Sequence, residues 1–253
     1  MRLAVVIPSK GLEPLLRQCL TSLRIAAERW SGIDLEVVLV DNASELPYDD
    51  RVIPEGIDCS IVRVDVPLSF SAACNLGASR AGDVDRILFL NNDVLCHEDV
   101  IRDTWAVADS TGAAIVGTRL VYPDGRIQHC GVLFDDGERG PYHARHGVRS
   151  ELVPRAPRSF QAVTGAYMLV DAAAFEDLGG FDEIYPFAYE DVDLCLRAGQ
   201  RGLRVACAQG TDSIHLQGSS RTPEAFDRDR EARRIFHARW RGRYTIDGWR
   251  NEP

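Results

Sequence analysis

No stretch of this 253-residue chain approaches the roughly 20 consecutive apolar residues that cross a bilayer as a helix, so no transmembrane helix is expected. Seven cysteines, at positions 19, 59, 74, 96, 130, 195 and 207, include no CxxC pair, which argues against a zinc ribbon or a dithiol redox motif. Their odd number and wide spacing predict reduced, mostly buried thiols in a cytosolic protein. Basic surplus is missing as well. The net charge of -9 excludes a nucleic-acid binder that relies on a general basic surface. An anionic ligand would need a local counter-charge such as a metal ion. No secretory signal is expected, because Met1 leads straight into the strand-like RLAVVIPS, too short for a signal-peptide core. Internal repeats and low-complexity segments are also lacking.

What is present is ordinary globular composition, 45% hydrophobic and 26% charged, enough for one large α/β domain or two small ones. LAVVIPS, DLEVVLVDNAS, CSIVRVD and RILFLNND read as buried strands. PLLRQCLTSLRIAAERW and SFSAACNLGASRA, which lie between them, have helical spacing or helix-compatible small residues. Strands alternating with helices predict a Rossmann-like, mostly parallel central sheet with flanking helices. Ligands of such sheets bind beyond the carboxyl ends of the strands, where Asp41, Asn42 and Asp93 fall.

Farther on, EDVIRDTWAVADST reads as a helix, and AAIVGTRLVYPDGRIQHCGVLFD as strands joined at Pro123-Asp124-Gly125. Residues 137 to 158, rich in Gly, Pro, Arg and His, are expected to form a mobile loop. FQAVTGAYMLVDAAAFEDLGGFDE predicts a strand and a short helix, YEDVDLCLRAGQRG a helix, and LRVACAQ a returning strand. Residues 221 to 253 differ in character, with nine Arg against six Asp or Glu. There Phe236, Trp240 and Tyr244 fall at i, i+4, i+8 and predict one helical stripe, which either packs back on the domain or rests on anionic lipid.

Three clusters carry chemistry. Asn91-Asn92-Asp93 interrupts an apolar run, either as a turn or helix cap or as a carboxylate offered to a hard cation such as Mg2+ or Mn2+. Glu190, Asp191 and Asp193 crowd a helix start, where acids both cap the dipole and, side by side, suit general-base work. His215 precedes a Gly-Ser loop; a lone histidine is more often structural, yet Mn2+ accepts imidazole beside oxygen donors.

Their order resembles the family-two inverting glycosyltransferases, which have the GT-A fold, and within them the rhamnosyltransferase-like branch that builds cell-wall and surface polysaccharides. VVIPSKG, VVLVDNAS, FSAACNLGAS, ILFLNNDV, VTGAYMLV, GGFDEIYPFAYEDVDLCLRAGQRG and IHLQGSS carry the likeness across residues 3 to 220. The resemblance implies that Pro8, Ser9 and Asp41 contact the nucleotide. It places Asn75 toward the nucleotide or its phosphates, with Gly77 allowing close backbone approach. Asn91-Asn92-Asp93 departs from the more usual Asp-x-Asp, so Asp93 is carried over as the metal ligand and His215 as its companion. Asn91 and Asn92 are left to donate to sugar or phosphate oxygens. Asp191 is expected to deprotonate the acceptor, with Glu190 orienting the acceptor or Asp191, while Gly165 and Ala166 line the donor sugar. The implied partners are a dTDP-, UDP- or GDP-linked donor and a glycan or lipid-linked acceptor.

The resulting scheme has a catalytic domain over residues 1 to 220, divided near residue 100 into nucleotide-binding and acceptor halves. An Arg-rich helical tail over 221 to 253 is a candidate peripheral contact with the inner face of the plasma membrane. The loop from 137 to 158 is expected to close over the donor, with Arg139, His143, Arg145, His146 and Arg149 as candidate phosphate contacts. The other function classes are a nucleotidyltransferase, which usually has a Gly-rich basic signature where this chain offers only Lys10, and a non-catalytic nucleotide-sugar-binding module.

Overall fold

The computed structural model describes residues 1–135, 140–216 and 223–247. Strand β1 (Arg2–Ser9) is buried from Leu3 through Val6 without a break because both faces of the sheet are covered. It pairs in parallel with β2 (Asp34–Asn42) on one side and β4 (Arg86–Leu90) on the other, and β3 (Asp58–Val64) extends β2 in parallel. Helix α1 (Glu13–Glu28) buries Leu16, Cys19, Leu20, Leu23 and Ala26, the stripe that its i, i+3, i+4 spacing dictates. Helix α2 (Phe70–Ala78) lies so close to the sheet that a Cβ on Gly77 would come within 2.3 Å of Val6 Cγ1. That glycine serves helix-on-sheet packing, which corrects the expectation that it admits a nucleotide.

The second half continues the same sheet with β6 (Ala113–Val121), β10 (Arg158–Phe160), β11 (Tyr167–Asp171) and β12 (Arg204–His215). The path across it runs β10-β12-β6-β11-β4-β1-β2-β3. The expected mostly parallel sheet is observed, with β11 running antiparallel to both β4 and β6 at its centre. Helix α3 (Val100–Thr111) covers β6 and β12, and the predicted turn at Pro123-Asp124-Gly125 leads from β6 into β7 (Ile127–His129). The short helix expected after β11 is α4 (Ala172–Asp177), capped by the Asp171 side chain on the Ala174 amide. All seven cysteines are free thiols, six of them buried.

The segment expected to be a mobile lid is instead anchored. Residues 141–143 form β9 (Pro141–His143), paired with β8 (Val132–Phe134), and Ala144 and Val153 join Val121, Ile127, Cys130 and Leu133 in a satellite core. The fully buried Arg119 guanidinium donates to the Ser150 and Val153 carbonyls, each at 3.3 Å, and to Gln209 Oε1 at 3.0 Å. A buried cation held by carbonyls from a loop fixes that loop, because releasing it would strand the charge. His143 Nδ1 meets the Gln128 carbonyl, His146 Nε2 the Tyr122 hydroxyl, and Arg149 pairs with Glu151. None of these, nor Arg145, lines the central cleft. Gly137, Arg139 and the Gly-Ser loop over residues 217–220 lie outside the described residues.

Helix α5 (Glu190–Gln200) and the tail helix α6 (Pro223–Trp240) are joined through Asp193, which has no exposure. Its carboxylate accepts from Trp240 Nε1 at 2.7 Å, Tyr185 Oη at 3.0 Å and Arg197 Nε at 2.7 Å. Phe236, with 0% exposure, stacks on Tyr189 at 5.0 Å, and Trp240 is 2% exposed. Phe236 and Trp240 therefore pack on the domain, whereas Tyr244, expected on the same stripe, lies beyond the end of the helix, partly buried with its ring 4.7 Å from that of Phe134. Asp193→Ala would leave the Trp240 indole and the Tyr185 phenol without this acceptor and take the carboxylate away from the Arg197 guanidinium. It is expected to cost about 3–5 kcal/mol of stability in urea unfolding, the range for breaking one side of a buried charge network.

Candidate active site

Chain geometry beyond the sheet brings the predicted groups together. After β4 the chain passes through Asn91, Asn92 and Asp93, then forms β5 (Val94–Leu95), which pairs antiparallel with the last residues of β12. Val94 is registered against His215, and Leu216 N–H donates to the Asp93 carbonyl at 3.0 Å. Two residues 122 positions apart are thereby set side by side, with His215 Nε2 3.1 Å from Asp93 Oδ1 and each residue 7% exposed. On an octahedral ion with bonds of about 2.1 Å, neighbouring ligands stand about 3.0 Å apart, so the pair fits one divalent cation. Among the described residues no third His, Cys, Asp or Glu joins them. The remaining positions of such an ion would fall to ligand oxygens.

Around this pair lies a cleft of about 580 Å³, lined by Pro8, Ser9, Asn91, Asn92, Asp93, Gly165, Ala166, Glu190, Asp191 and His215, ten of the expected site residues. Asn92 Nδ2 donates to Ser9 Oγ at 2.8 Å, and Ser9 Oγ lies 2.8 Å from the Tyr48 hydroxyl. This chain of polar groups fixes the wall formed by the ends of β1 and β4.

Two expected contacts do not reach the cleft. Asp41 is fully buried, and its carboxylate is already taken by Arg63 Nη1 at 2.6 Å and by the Ser44 and Tyr48 amides at 3.1 and 3.2 Å. Burial pushes that carboxyl up, but the hydrogen bonds from Ser44, Arg63 and Tyr48 outweigh it and hold it below its ordinary range. Its neighbour Asn42 lines the cleft instead, and its amide exchanges two hydrogen bonds with the Leu68 backbone. Asn75 is likewise used up: Nδ2 donates to the Phe181 carbonyl and to Glu183, and Oδ1 accepts from Phe181 N–H at 2.9 Å. It ties α2 to the loop before α5 and does not line the cleft.

The acids at the head of α5 are distinct from one another. Tyr189, at φ 74°, holds a left-handed conformation that only a residue locked by its surroundings keeps, and it turns the chain into the helix. Asp191 Oδ2 accepts from Gly165 N–H at 2.8 Å and Oδ1 from Val192 N–H at 2.7 Å, so one carboxylate rotamer is held by two backbone donors. Glu190 lies behind it, 7% exposed; burial, then the Asp191 charge, pushes its carboxyl well above the usual range. Burial thus favours the neutral form of Glu190, while both oxygens of Asp191 accept backbone hydrogens.

The shift has a sign that can be tested. A carboxyl raised in the folded state contributes stability that is fully present below its unfolded value and is lost as pH rises through the folded one. Glu190→Gln removes that dependence, so relative to the parent the variant is expected to be more stable at pH 8 than at pH 5 in paired thermal melts.

A family model described as Glycosyltransferase like family 2 matches residues 1–242. The chain belongs to this family. O-antigen biosynthesis protein RfbC of Myxococcus xanthus is 31% identical over 88% of the chain, which spans only 18% of that protein's length. The N-acetylglucosaminyl-diphospho-decaprenol L-rhamnosyltransferase of Mycobacterium tuberculosis H37Rv is 25% identical, covering 86% of this chain and 77% of that one. Among solved structures, GalNAc-T7 with UDP, GalNAc and Mn2+ superposes with a TM-score of 0.69 at 14% identity, over 89% of this chain and 45% of that one. The last is a likeness of fold. The resemblance to the rhamnosyltransferase-like branch of the family is borne out by the relatives.

In this family 2 chain the cleft also contains side chains given no role in it from the sequence. Lys10 stands beside Ser9, Phe70 and Phe187 supply aromatic walls, and Arg228 enters from α6 with its guanidinium 5.8 Å from the Phe187 ring. Phe187 precedes the Glu-Asp pair within a run already singled out, whereas Arg228 belongs to a tail whose charge pattern gave no hint of the cleft.

Gly165 has a structural duty besides lining the cleft. A Cβ there would lie 3.3 Å from Asp191 Cβ and 3.5 Å from Phe70 Cε1, so the missing side chain lets Asp191 approach the Gly165 amide. Gly165→Ala is expected to lower kcat about tenfold or more through displacement of that carboxylate, with donor affinity unchanged within twofold. Steady-state kinetics and calorimetry would separate the two.

Proposed function

We propose that the chain is a metal-dependent inverting glycosyltransferase that moves a sugar from a nucleoside diphosphate donor to a hydroxyl of a cell-surface polysaccharide or lipid-linked glycan. The observation that carries this reading is that Asp93, His215 and Asp191, far apart in sequence, line one cleft. Asp93 and His215 are the residues that would hold Mn2+ or Mg2+, and the ion would supply charge neutralisation to the departing diphosphate. The chemistry of the donor set favours this, as does the Mn2+ that accompanies UDP in the GalNAc-T7 structure.

The protein's own part follows from its residues. Ser9, Asn91 and Asn92 line the donor end and offer hydroxyl and amide groups to ribose, sugar or phosphate oxygens. Asp191, fixed by the Gly165 and Val192 amides, takes the proton from the acceptor hydroxyl as that oxygen attacks the anomeric carbon from the face opposite the leaving group. Glu190, behind Asp191, orients the acceptor or Asp191. Phe70, Pro186 and Phe187 give the acceptor an apolar platform, the surface on which sugar rings stack. Rhamnose is the transferred sugar suggested by the relatives' names. Contact with anionic lipid would fall to the outward Arg230 and Arg234 of α6, since its aromatic face is buried.

The test is incubation with a panel of dTDP-, UDP- and GDP-linked sugars in the presence of Mn2+. Release of nucleoside diphosphate, with product of inverted anomeric configuration by NMR when acceptor is present, is the expected result. Formation of nucleoside triphosphate and sugar phosphate from a donor when pyrophosphate is added would instead make the protein a nucleotidyltransferase, and no turnover of any donor under either condition would make it a binding module.

A further inference from the structure

We propose that Gln128 is the positioning residue that turns His215 into a metal ligand: its side-chain amide fixes the imidazole tautomer and gives the cation site a nitrogen donor suited to Mn2+. The inference rests on the reading of Asp93 and His215 as a cation site and goes one step behind it, to a residue that no motif marks.

Strand β7 pairs with β6 and sets Gln128, 3% exposed, beside the end of β12. Gln128 Oε1 lies 2.6 Å from His215 Nδ1, and Gln128 Nε2 donates to the His215 backbone carbonyl at 3.4 Å. A carbonyl can be served only by the NH2 end of an amide, so the oxygen end faces the ring. An amide oxygen is purely an acceptor, and Nδ1 must therefore carry the hydrogen. In the neutral ring Nε2 is then left with its lone pair, aimed at Asp93 Oδ1 3.1 Å away. That spacing is met either by a proton on Nε2 or by a cation that both atoms ligate, and the fixed Nδ1–H leaves Nε2 as the nitrogen available to the cation.

The same hydrogen bond that sets the tautomer also fixes the ring plane, the arrangement by which outer-shell partners orient metal-binding histidines. Gln128 does this without adding charge, so the two protein ligands bring a single carboxylate. A site with imidazole and only one carboxylate disfavours Mg2+, which prefers oxygen, and accommodates Mn2+.

The experiment uses the full chain with Mn2+ alone, followed by loss of the free-ion EPR signal and by nitrogen modulation in pulsed EPR of the bound ion. The parent is expected to bind Mn2+ with strong nitrogen modulation. Gln128→Met, close in shape but unable to accept, is expected to bind about tenfold more weakly with that modulation reduced. Its affinity for Mg2+, read by competition, should move less. Gln128→Glu keeps the acceptor and should retain both affinity and modulation. Full modulation and undiminished affinity in Gln128→Met would overturn the proposal, as would a Glu variant that fails as the Met variant does. A thermal melt of each variant guards against misfolding, and if the Met variant does not fold, the Glu variant decides alone. Absence of Mn2+ binding in the parent removes this inference and the cation reading together. Binding in the parent that Asp93→Asn abolishes but Gln128→Met leaves intact removes this inference only.

Discussion

Asp191→Asn is expected to reduce transfer by about 10³-fold while leaving donor affinity within twofold of the parent, the loss typical when a positioned base is removed. The amide occupies the same volume and reaches the same cleft, so steric occupancy changes little. What changes is the proton acceptor. In the parent both carboxylate oxygens accept backbone hydrogens, from Gly165 and Val192. An Asn has one oxygen, so one of those N–H groups must face an NH2, at a cost to stability of about 1–3 kcal/mol. A lowered melting temperature alone is thus compatible with the base assignment. Calorimetric titration with donor and Mn2+ is the deciding measurement. Lost donor binding would mean that Asp191 holds the nucleotide or the metal, and the base would have to be sought elsewhere; retained transfer would dismiss it from the chemistry altogether.

How far the sequence reaches can be judged from particular residues. Strands such as Leu3–Ile7 are legible because a sheet covered on both faces forces an unbroken apolar run, and α1 because one covered face forces a 3.6-residue period. The Asn-Asn-Asp interruption is legible for a related reason: apolar chain resumes at once in β5, so the polar residues are placed by the fold and not by solvent. By contrast, Asp41 and Asn75 look identical in sequence whether they face a ligand or a neighbouring backbone. What decides is Arg63 on the adjacent strand and the Phe181 loop more than 100 residues on, both set by tertiary contact. Residues 140–158 have the composition of a mobile loop, yet Arg119, remote in sequence, supplies a buried cation that ties them down. Gln128 was invisible because a lone glutamine in a short strand has no periodic or spacing signature. Its role emerges only when β7 meets the end of β12.

The cation site yields the second large effect. Asp93→Ala removes the sole carboxylate of the Asp93–His215 pair, leaving an imidazole that by itself holds Mn2+ weakly. Donor binding in Mn2+ is expected to weaken by about tenfold to a hundredfold, and titrations with and without the ion should become indistinguishable. A hundredfold loss corresponds to about 2.7 kcal/mol, well within what separates a neutralised diphosphate from an unneutralised one in a cleft with few cations. Lys10 and Arg228 are the cationic side chains among the described residues of that cleft, and no salt bridge within the described residues occupies either. They set the residual affinity: a donor that still binds the Asp93 variant should do so with steeper salt dependence, because point charges at the rim replace a bound ion. Equal Mn2+-dependent affinity in Asp93→Ala and the parent would instead place the ion away from β5, and the juxtaposition with His215 would then serve only to pin the end of β12.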